Sequence, residues 1–172
     1  IIRMVDKLDA GAVFAQQSLA IAKAETTESL TDKLAQLGGQ LIVQTIKDIV
    51  AGKIEPIEQD PSLVTYVKKL TKADGLIDWT REAVYLERFV RAMSPWPSAW
   101  TWMSGRQLKI LAISEIIELD TYKPGKVFVY NNQLAIQTGK GAVIVSRLQA
   151  EGKRPMSSQE FVNGYSEIIG VI

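Results

Sequence analysis

Neither cysteine nor histidine occurs anywhere in this sequence. Without cysteine there are no disulfides and no thiolate chemistry, which fits a cytoplasmic protein. Without histidine the chain lacks the commonest general base, the usual zinc ligand and every imidazole-dependent triad. Any reaction must therefore run on carboxylates, lysine or tyrosine, or draw part of its site from elsewhere, and no metal is expected. No apolar run reaches membrane-span length, so no membrane partner is expected. Ile1–Val5 lacks the charged, apolar and small-residue regions of a signal peptide. The sequence also opens without Met, inside an apolar run, and reads as though cut from something longer. No repeat, low-complexity tract or glycine-rich phosphate loop is found.

What is present suits one or two folded domains: 172 residues, of which 47% are apolar and 23% charged. The net charge is +1, unevenly spread. Residues 1–68 hold 7 basic against 9 acidic side chains, and residues 69–172 hold 13 against 10. Between Ser104 and Pro155 the ratio is 8 to 4, a mild basic bias compatible with phosphate contacts.

Local patterns divide the chain. Ile1–Val5 reads as the end of a strand, residues 6–11 as a turn, and Ala12–Ala22, with its loose alternation, as a second strand. Thr26 or Thr27 can cap a helix with Leu30, Leu34 and Leu37 on one face and Glu28 in its first turn. Gly38-Gly39 is expected to interrupt it. A second helix would turn Leu41, Ile42, Thr45, Ile46, Ile49 and Val50 inward and stop at Gly52. Residues 53–75, with Pro56 and Pro61, read as an exposed linker. A helix is expected from Thr80 to Met93, its inner face carrying Leu86, Phe89, Val90 and Met93. Short strands follow at Ala99–Met103, Gln107–Glu118, Lys126–Tyr130, Gln133–Thr138 and Ala142–Leu148, separated by Ser104-Gly105, Asn131-Asn132 and Gly139–Gly141 turns. The Gln133–Thr138 alternation predicts a half-buried strand. Five such strands suggest a small OB-like barrel, and Ser157–Glu160 is a capping box opening a terminal helix that Gly164 closes.

The segment Arg91–Trp102 stands between helix and strands, and it holds three of the four tryptophans and two of the six prolines. Pro95 and Pro97 fix their own φ and push the preceding residues out of the α region, so a helix must end near Met93. Trp96 is read as a buried plug docking that helix on the first strand, with stacking on a ligand or nucleotide as the rival role.

Two constellations could carry chemistry. Asp6 and Asp9 flank the first turn, at a strand end where α/β enzymes place catalytic groups, although aspartate in such a turn also serves the turn itself. Lys68, Lys69 and Lys72, with Arg106, Lys109, Lys123, Lys126, Lys140, Arg147, Lys153 and Arg154, could line a nucleic-acid surface or merely keep the strands soluble.

Three segments carry a family resemblance that runs essentially from end to end. Leu8-Asp-Ala-Gly11 resembles the end of the catalytic domain of folate-dependent formyltransferases. Ile77-Asp-Trp79, followed by Leu86 through Pro97, resembles the start of their carboxyl-terminal domain. The tail Glu151-Gly-Lys-Arg-Pro-Met, running on to Gly164, is similar to the methionyl-tRNA formyltransferase family in particular. The resemblance implies an α+β chain: the C-terminal remnant of a Rossmann-like α/β formyltransferase domain at 1–52, a linker at 53–75, and a tRNA-binding OB-like open β-barrel domain at 76–172. It implies transfer of formyl from 10-formyltetrahydrofolate to the amino group of initiator methionyl-tRNA, by a monomer. Of the family's Asn, His and Asp set, Asp9 matches the Asp, which orients the His and helps manage the amine proton. The Asn and His belong upstream, so this polypeptide alone is expected to be inactive. Ala10 and Ala12 depart from the family's usual Thr and Asp. The resemblance assigns tRNA contacts to Lys68, Lys69 and Lys72. Two alternatives remain: a related formyltransferase acting on a nucleotide sugar or on formyl-folate, and a free-standing RNA-binding or structural barrel.

Overall fold

A backbone N–H or C=O needs a partner wherever it leaves water, and in the first residues of this chain those partners are few. The computed structural model describes residues 1–165, so that residues 166–172 of the expected C-terminal domain lie outside the described residues. It separates into two compact units, Ile1–Lys69 and the chain from Leu70 onward. In the first unit Ile2 bridges Val13, and Val13 bridges Ile57 through hydrogen bonds of 2.8 and 2.9 Å. The strand expected over 12–22 is therefore only this bridge at Val13. Alternation reports which face a residue would take, not whether a neighbouring strand is there to pair with.

The two expected N-terminal helices are one, α1, running from Thr27 to Val50 straight through Gly38-Gly39. Each glycine costs about 1 kcal/mol relative to alanine but breaks no hydrogen bond, so good helix formers on either side carry the helix across. Thr26 is the N-cap: its hydroxyl accepts from Ser29 N at 3.2 Å, and Ser29 Oγ accepts from Thr26 N at 3.0 Å. Lys33 donates to Glu25 at 2.7 Å and Ser29 also donates to it, which holds the Glu25 carboxyl below its ordinary range. Gly52, at φ +66, closes the helix as the sequence suggests. The expected inward face is only half realised. Thr45 is buried at 2% exposure, whereas Ile46 is 52% and Val50 83% exposed. Ile42, Val43, Ile46, Ile49 and Val50 form an uncovered apolar stripe.

The second unit begins with turns and α2, Ala83–Ala92. This helix starts later than Thr80 because Asp78 Oδ1 captures Thr80 N at 3.0 Å and Thr80 Oγ1 at 2.6 Å, holding that residue in a turn. Both hydrogen bonds, with Arg81 nearby, keep the Asp78 carboxyl below its usual range. Leu86 and Val90 are buried and Phe89 and Met93 pack beside them, as the 3.6-residue period requires.

Six strands follow: β1 Ala99–Met103, β2 Arg106–Ile117, β3 Val127–Tyr130, β4 Gln133–Gln137, β5 Ala142–Ala150 and β6 Met156–Ser157. They form one open antiparallel sheet in the order β1-β2-β5-β4-β3, with β6 on β5. Register shifts between Ile110 and Glu115 bend β2 against β5. Ser104 and Gly105, and likewise Asn131 and Asn132, take positive φ, which suits two-residue hairpin loops. The helix α3, Ser158–Gly164, opens on the expected capping box, in which Ser157 N and Oγ donate to Glu160 at 2.7 and 3.0 Å. These bonds lower the Glu160 pKa. Leu108, Ile110, Leu134, Ile136, Val143, Val145, Leu148 and Phe161 share one core with Leu86 and Val90.

One strand departs from its pattern. β4 was expected to be half-buried, yet Leu134 through Gln137 are all buried. The strand lies between β3 and β5. Ser158 Oγ of α3 also accepts from Leu134 N at 2.6 Å. Gln137, only 1% exposed, is satisfied by connections that wrap the sheet. Its Nε2 donates to Leu119 O at 2.7 Å and Gly141 O at 2.8 Å, and its Oε1 accepts from Tyr122 N at 3.2 Å.

An added Cβ at Gly39 meets nothing within 4 Å. Gly39→Ala should therefore raise the stability of α1 by about 0.5–1 kcal/mol, read as a higher midpoint in helix-monitored thermal unfolding; a lower midpoint would show that the glycine pair is required.

Candidate functional site

In the first unit, the turn around Asp9 is shaped by a close backbone crossing. A Cβ on Gly11 would lie 1.8 Å from Arg3 O, so no other residue fits there without moving the chain. Asp9 takes a positive φ of 53°. Gln59 Nε2 donates to Asp9 O at 2.8 Å and to Gly11 O at 2.7 Å. The Asp9 carboxylate stands exposed, with no hydrogen-bond partner among the described residues. Asp6 is exposed in the same turn. The Asp9 and Gly11 carbonyls are already engaged. The turn offers two exposed carboxylates and nothing that would enclose a pteridine ring, so these residues alone do not fit a folate.

In the second unit, the Pro-Trp corner behaves differently from its sequence reading. Pro97 is buried, but Trp96 is 56% exposed, so it is not the plug between α2 and β1. The corner is held by its backbone and by Ser98: Ser98 N donates to Met93 O at 2.9 Å and Ser98 Oγ to Pro95 O at 2.7 Å. Those bonds close the helix-to-strand turn without help from the indole, which is left facing solvent.

Just past the corner, Trp100 is gripped from two sides by the segment before α2. Its Nε1 donates to Lys72 O at 2.9 Å, and its own carbonyl accepts from Ile77 N at 2.8 Å. Gly75 makes this possible, since a Cβ there would lie 2.2 Å from Ser98 O and 3.1 Å from Trp100 Cδ1. Trp102, 60% exposed, stands edge-on to Trp100 with ring centroids 5.9 Å apart. Trp79 serves the interior instead and donates to Thr101 Oγ1 at 3.0 Å.

Strand pairing assembles the rest of this face. Trp100 is opposite Lys109, and Lys109 is opposite Gln149, so three neighbouring strands place these side chains in one row. Trp102 opposite Gln107 begins the next row. Trp96, Trp100, Lys72, Lys109 and Gln149 line a shallow pocket of about 310 Å³, with Glu151 the acidic member of its wall.

Of the basic residues predicted from sequence, Lys72 and Lys109 line this pocket. Lys68 and Lys69 end the first unit, exposed, and Lys72 is exposed in the second. Lys72 and Lys109 have no carboxylate within ion-pairing distance among the described residues. Lys140 spends its carbonyl on Ala83 N at 3.0 Å, and Arg154 reaches Glu160 at 3.9 Å. The row Trp100–Lys109–Gln149 escaped sequence reasoning. Alternation shows that Trp100 and Trp102 share a side, but no local signal says that β5 lies beside β2.

Comparison with known proteins supplies the family. Residues 69–166 match the family model described as formyl transferase, C-terminal domain. The chain belongs to that family. Over 99% of its length it is 38% identical to a methionyl-tRNA formyltransferase of Lachnospira eligens, covering 56% of that protein. Over 92% it is 35% identical to the enzyme of the same name from Geobacter sulfurreducens, covering 50%. The chain thus spans about half the length of the curated relatives it matches. Among solved structures, HypX from Aquifex aeolicus in complex with tetrahydrofolic acid superposes with a TM-score of 0.73 at 17% identity, over 98% of this chain and 30% of that one. An N-formyltransferase from Helicobacter canadensis gives 0.62 at 14%, over 84% and 52%. At these identities the likeness concerns the fold. Among the described residues no helix is long and apolar enough to cross a membrane.

Gly75→Ala tests how the face is built. The new methyl must displace the Ser98 carbonyl, so the chain should lose about 1–3 kcal/mol of stability, measured by denaturant unfolding; an unchanged midpoint would mean the crossing at Gly75 is not tight.

Proposed function

We propose that this chain is the carboxyl-terminal part of a methionyl-tRNA formyltransferase. The observation that carries this is similarity to enzymes of that name at 35–38% identity across nearly the whole chain. In this reading the first unit is the end of a Rossmann-like α/β catalytic domain whose body lies outside this chain. The uncovered apolar stripe on α1 supports it, because about half the length of the relatives is absent here and such a stripe needs a cover. Residues 53–75 act as the linker and the second unit as the tRNA-binding domain of a cytoplasmic monomer.

The complete enzyme moves formyl from 10-formyltetrahydrofolate to the amino group of initiator methionyl-tRNA. The amine nitrogen attacks the formyl carbon, the bond from that carbon to the folate nitrogen breaks, and the proton lost by the amine is balanced by the one that the departing folate nitrogen takes up. Asp9 is the one member of the catalytic set in this chain. Its exposed carboxylate at the tip of a tightly held turn is placed to orient an imidazole and stabilise it when protonated. The imidazole and the Asn come from upstream residues. Folate binding is assigned to those residues too, since the Asp9 turn does not enclose a ligand.

Two expectations follow. The isolated chain should give no turnover above background when methionyl-tRNA and formyl donor are supplied, because it has no histidine at all; measurable product in a formylation assay would show that catalysis needs no imidazole. It should still bind tRNA weakly and with strong salt dependence, since lysine–phosphate contacts release counterions. Changing Lys68, Lys69 and Lys72 together to Gln should reduce the slope of log affinity against log salt by about 2–3. Salt-independent binding, or a slope untouched by the triple change, would reject these lysines as the contact.

A further inference from the structure

We infer that the outer face of β1, β2 and β5 is a stacking platform for unpaired nucleotides of an RNA ligand. This rests on the reading of the second unit as an RNA-contacting domain and adds the part of the RNA it takes and the residues that take it.

Tryptophans more than half exposed are unusual on a monomer's surface, and here two of them flank a third on one side of one sheet. Neither exposed indole is needed there by the core. Thr101 and Met103 point to the buried side of β1, and the corner below Trp96 is closed by backbone and Ser98 hydrogen bonds. The face is neither uniformly apolar nor uniformly charged. Lys109 stands in the middle of the Trp100–Lys109–Gln149 row and Lys72 on its rim. Both amide side chains, Gln107 and Gln149, can present a donor and an acceptor together.

That combination matches a nucleotide. An aromatic wall takes the flat face of a base, an ammonium takes the phosphate, and an amide reads a base edge. A buried apolar partner would leave two lysines unpaired in the interface, at a cost that RNA phosphate removes. Paired bases are excluded by chemistry, because their faces are already stacked within the duplex and inaccessible to an indole. The pocket, at about 310 Å³ and open on one side, has room for one base beside Trp96, with Trp102 offering a surface for a neighbour.

The test uses the whole chain with a short single-stranded oligoribonucleotide, a blunt RNA duplex and tRNA. The single strand should quench tryptophan fluorescence and bind more tightly than the duplex at equal salt. Trp96→Ala and Trp102→Ala should each weaken single-strand and tRNA binding about tenfold, and Trp102→Phe should restore most of the loss, since base–aromatic stacking contributes about 1–3 kcal/mol per base. Both side chains are more than half exposed, so thermal midpoints should stay near that of the parent and separate binding loss from unfolding. Lys109→Gln should lower the salt slope by about 1 and leave quenching intact. If tRNA binds in a salt-sensitive way but neither tryptophan change alters its affinity, the platform is wrong and the RNA-binding reading stands. In that case the face is a dock for protein. If tRNA does not bind at all, both fall.

Discussion

Much of the second unit's outer surface depends on how Trp100 is held. Its indole N–H and its backbone carbonyl are both engaged by the stretch Lys72–Ile77, and Gly75 lets that stretch pass the Ser98 carbonyl at a distance no Cβ would tolerate. This clasp links the approach to α2, the corner after α2 and the first strand. The place of Lys72 at the pocket rim follows from it.

The interior is stabilised by a comparable arrangement on the other side of the sheet. Gln137 could have been a liability in a fully buried strand. Hydrogen bonds of its side chain instead bring Leu119, Tyr122 and Gly141 onto β4 and β5, and Asp120 adds a bond from Gly141 N at 2.6 Å. Gly139 approaches Thr80 O so closely that a Cβ would sit 1.8 Å away. The long β2–β3 connection and the start of α2 are thereby both anchored to the β4–β5 turn. Gln137 thus serves the interior beside an apolar core that includes Phe161, while Trp96 and Trp102 remain at the surface.

The first unit has the opposite character. Its buried residues are few, its long helix carries an uncovered apolar stripe, and its catalytic candidate is a single carboxylate on a turn held by Gln59. Such a unit is understandable as part of a larger domain. The curated relatives it matches are about twice as long. In the proposed reading, chemistry and RNA recognition are divided along the chain, with Asp9 near one end and the tryptophan face in the other unit.

Local chemistry alone determined much of this. Five of the second-unit strands, their two-residue turns, the Ser157–Glu160 capping box and the inner face of α2 are set by side-chain period, by positive-φ residues and by short-range hydrogen bonds, and these were legible. The absence of histidine and the Asp9 turn were legible too. Tertiary structure decided where local preference is weak or silent. Helix α1 continues through Gly38-Gly39 because a propensity cost of about 1 kcal/mol per glycine is smaller than the gain from continuous hydrogen bonding. The strand expected after Ala12 shrinks to one bridge because no neighbour is available to pair with it. Trp96 faces solvent because Ser98, not the indole, closes the corner. The row Trp100–Lys109–Gln149 exists only because β2 pairs with β5 across a long separation in sequence, and long-range pairing is the one term that no local pattern encodes.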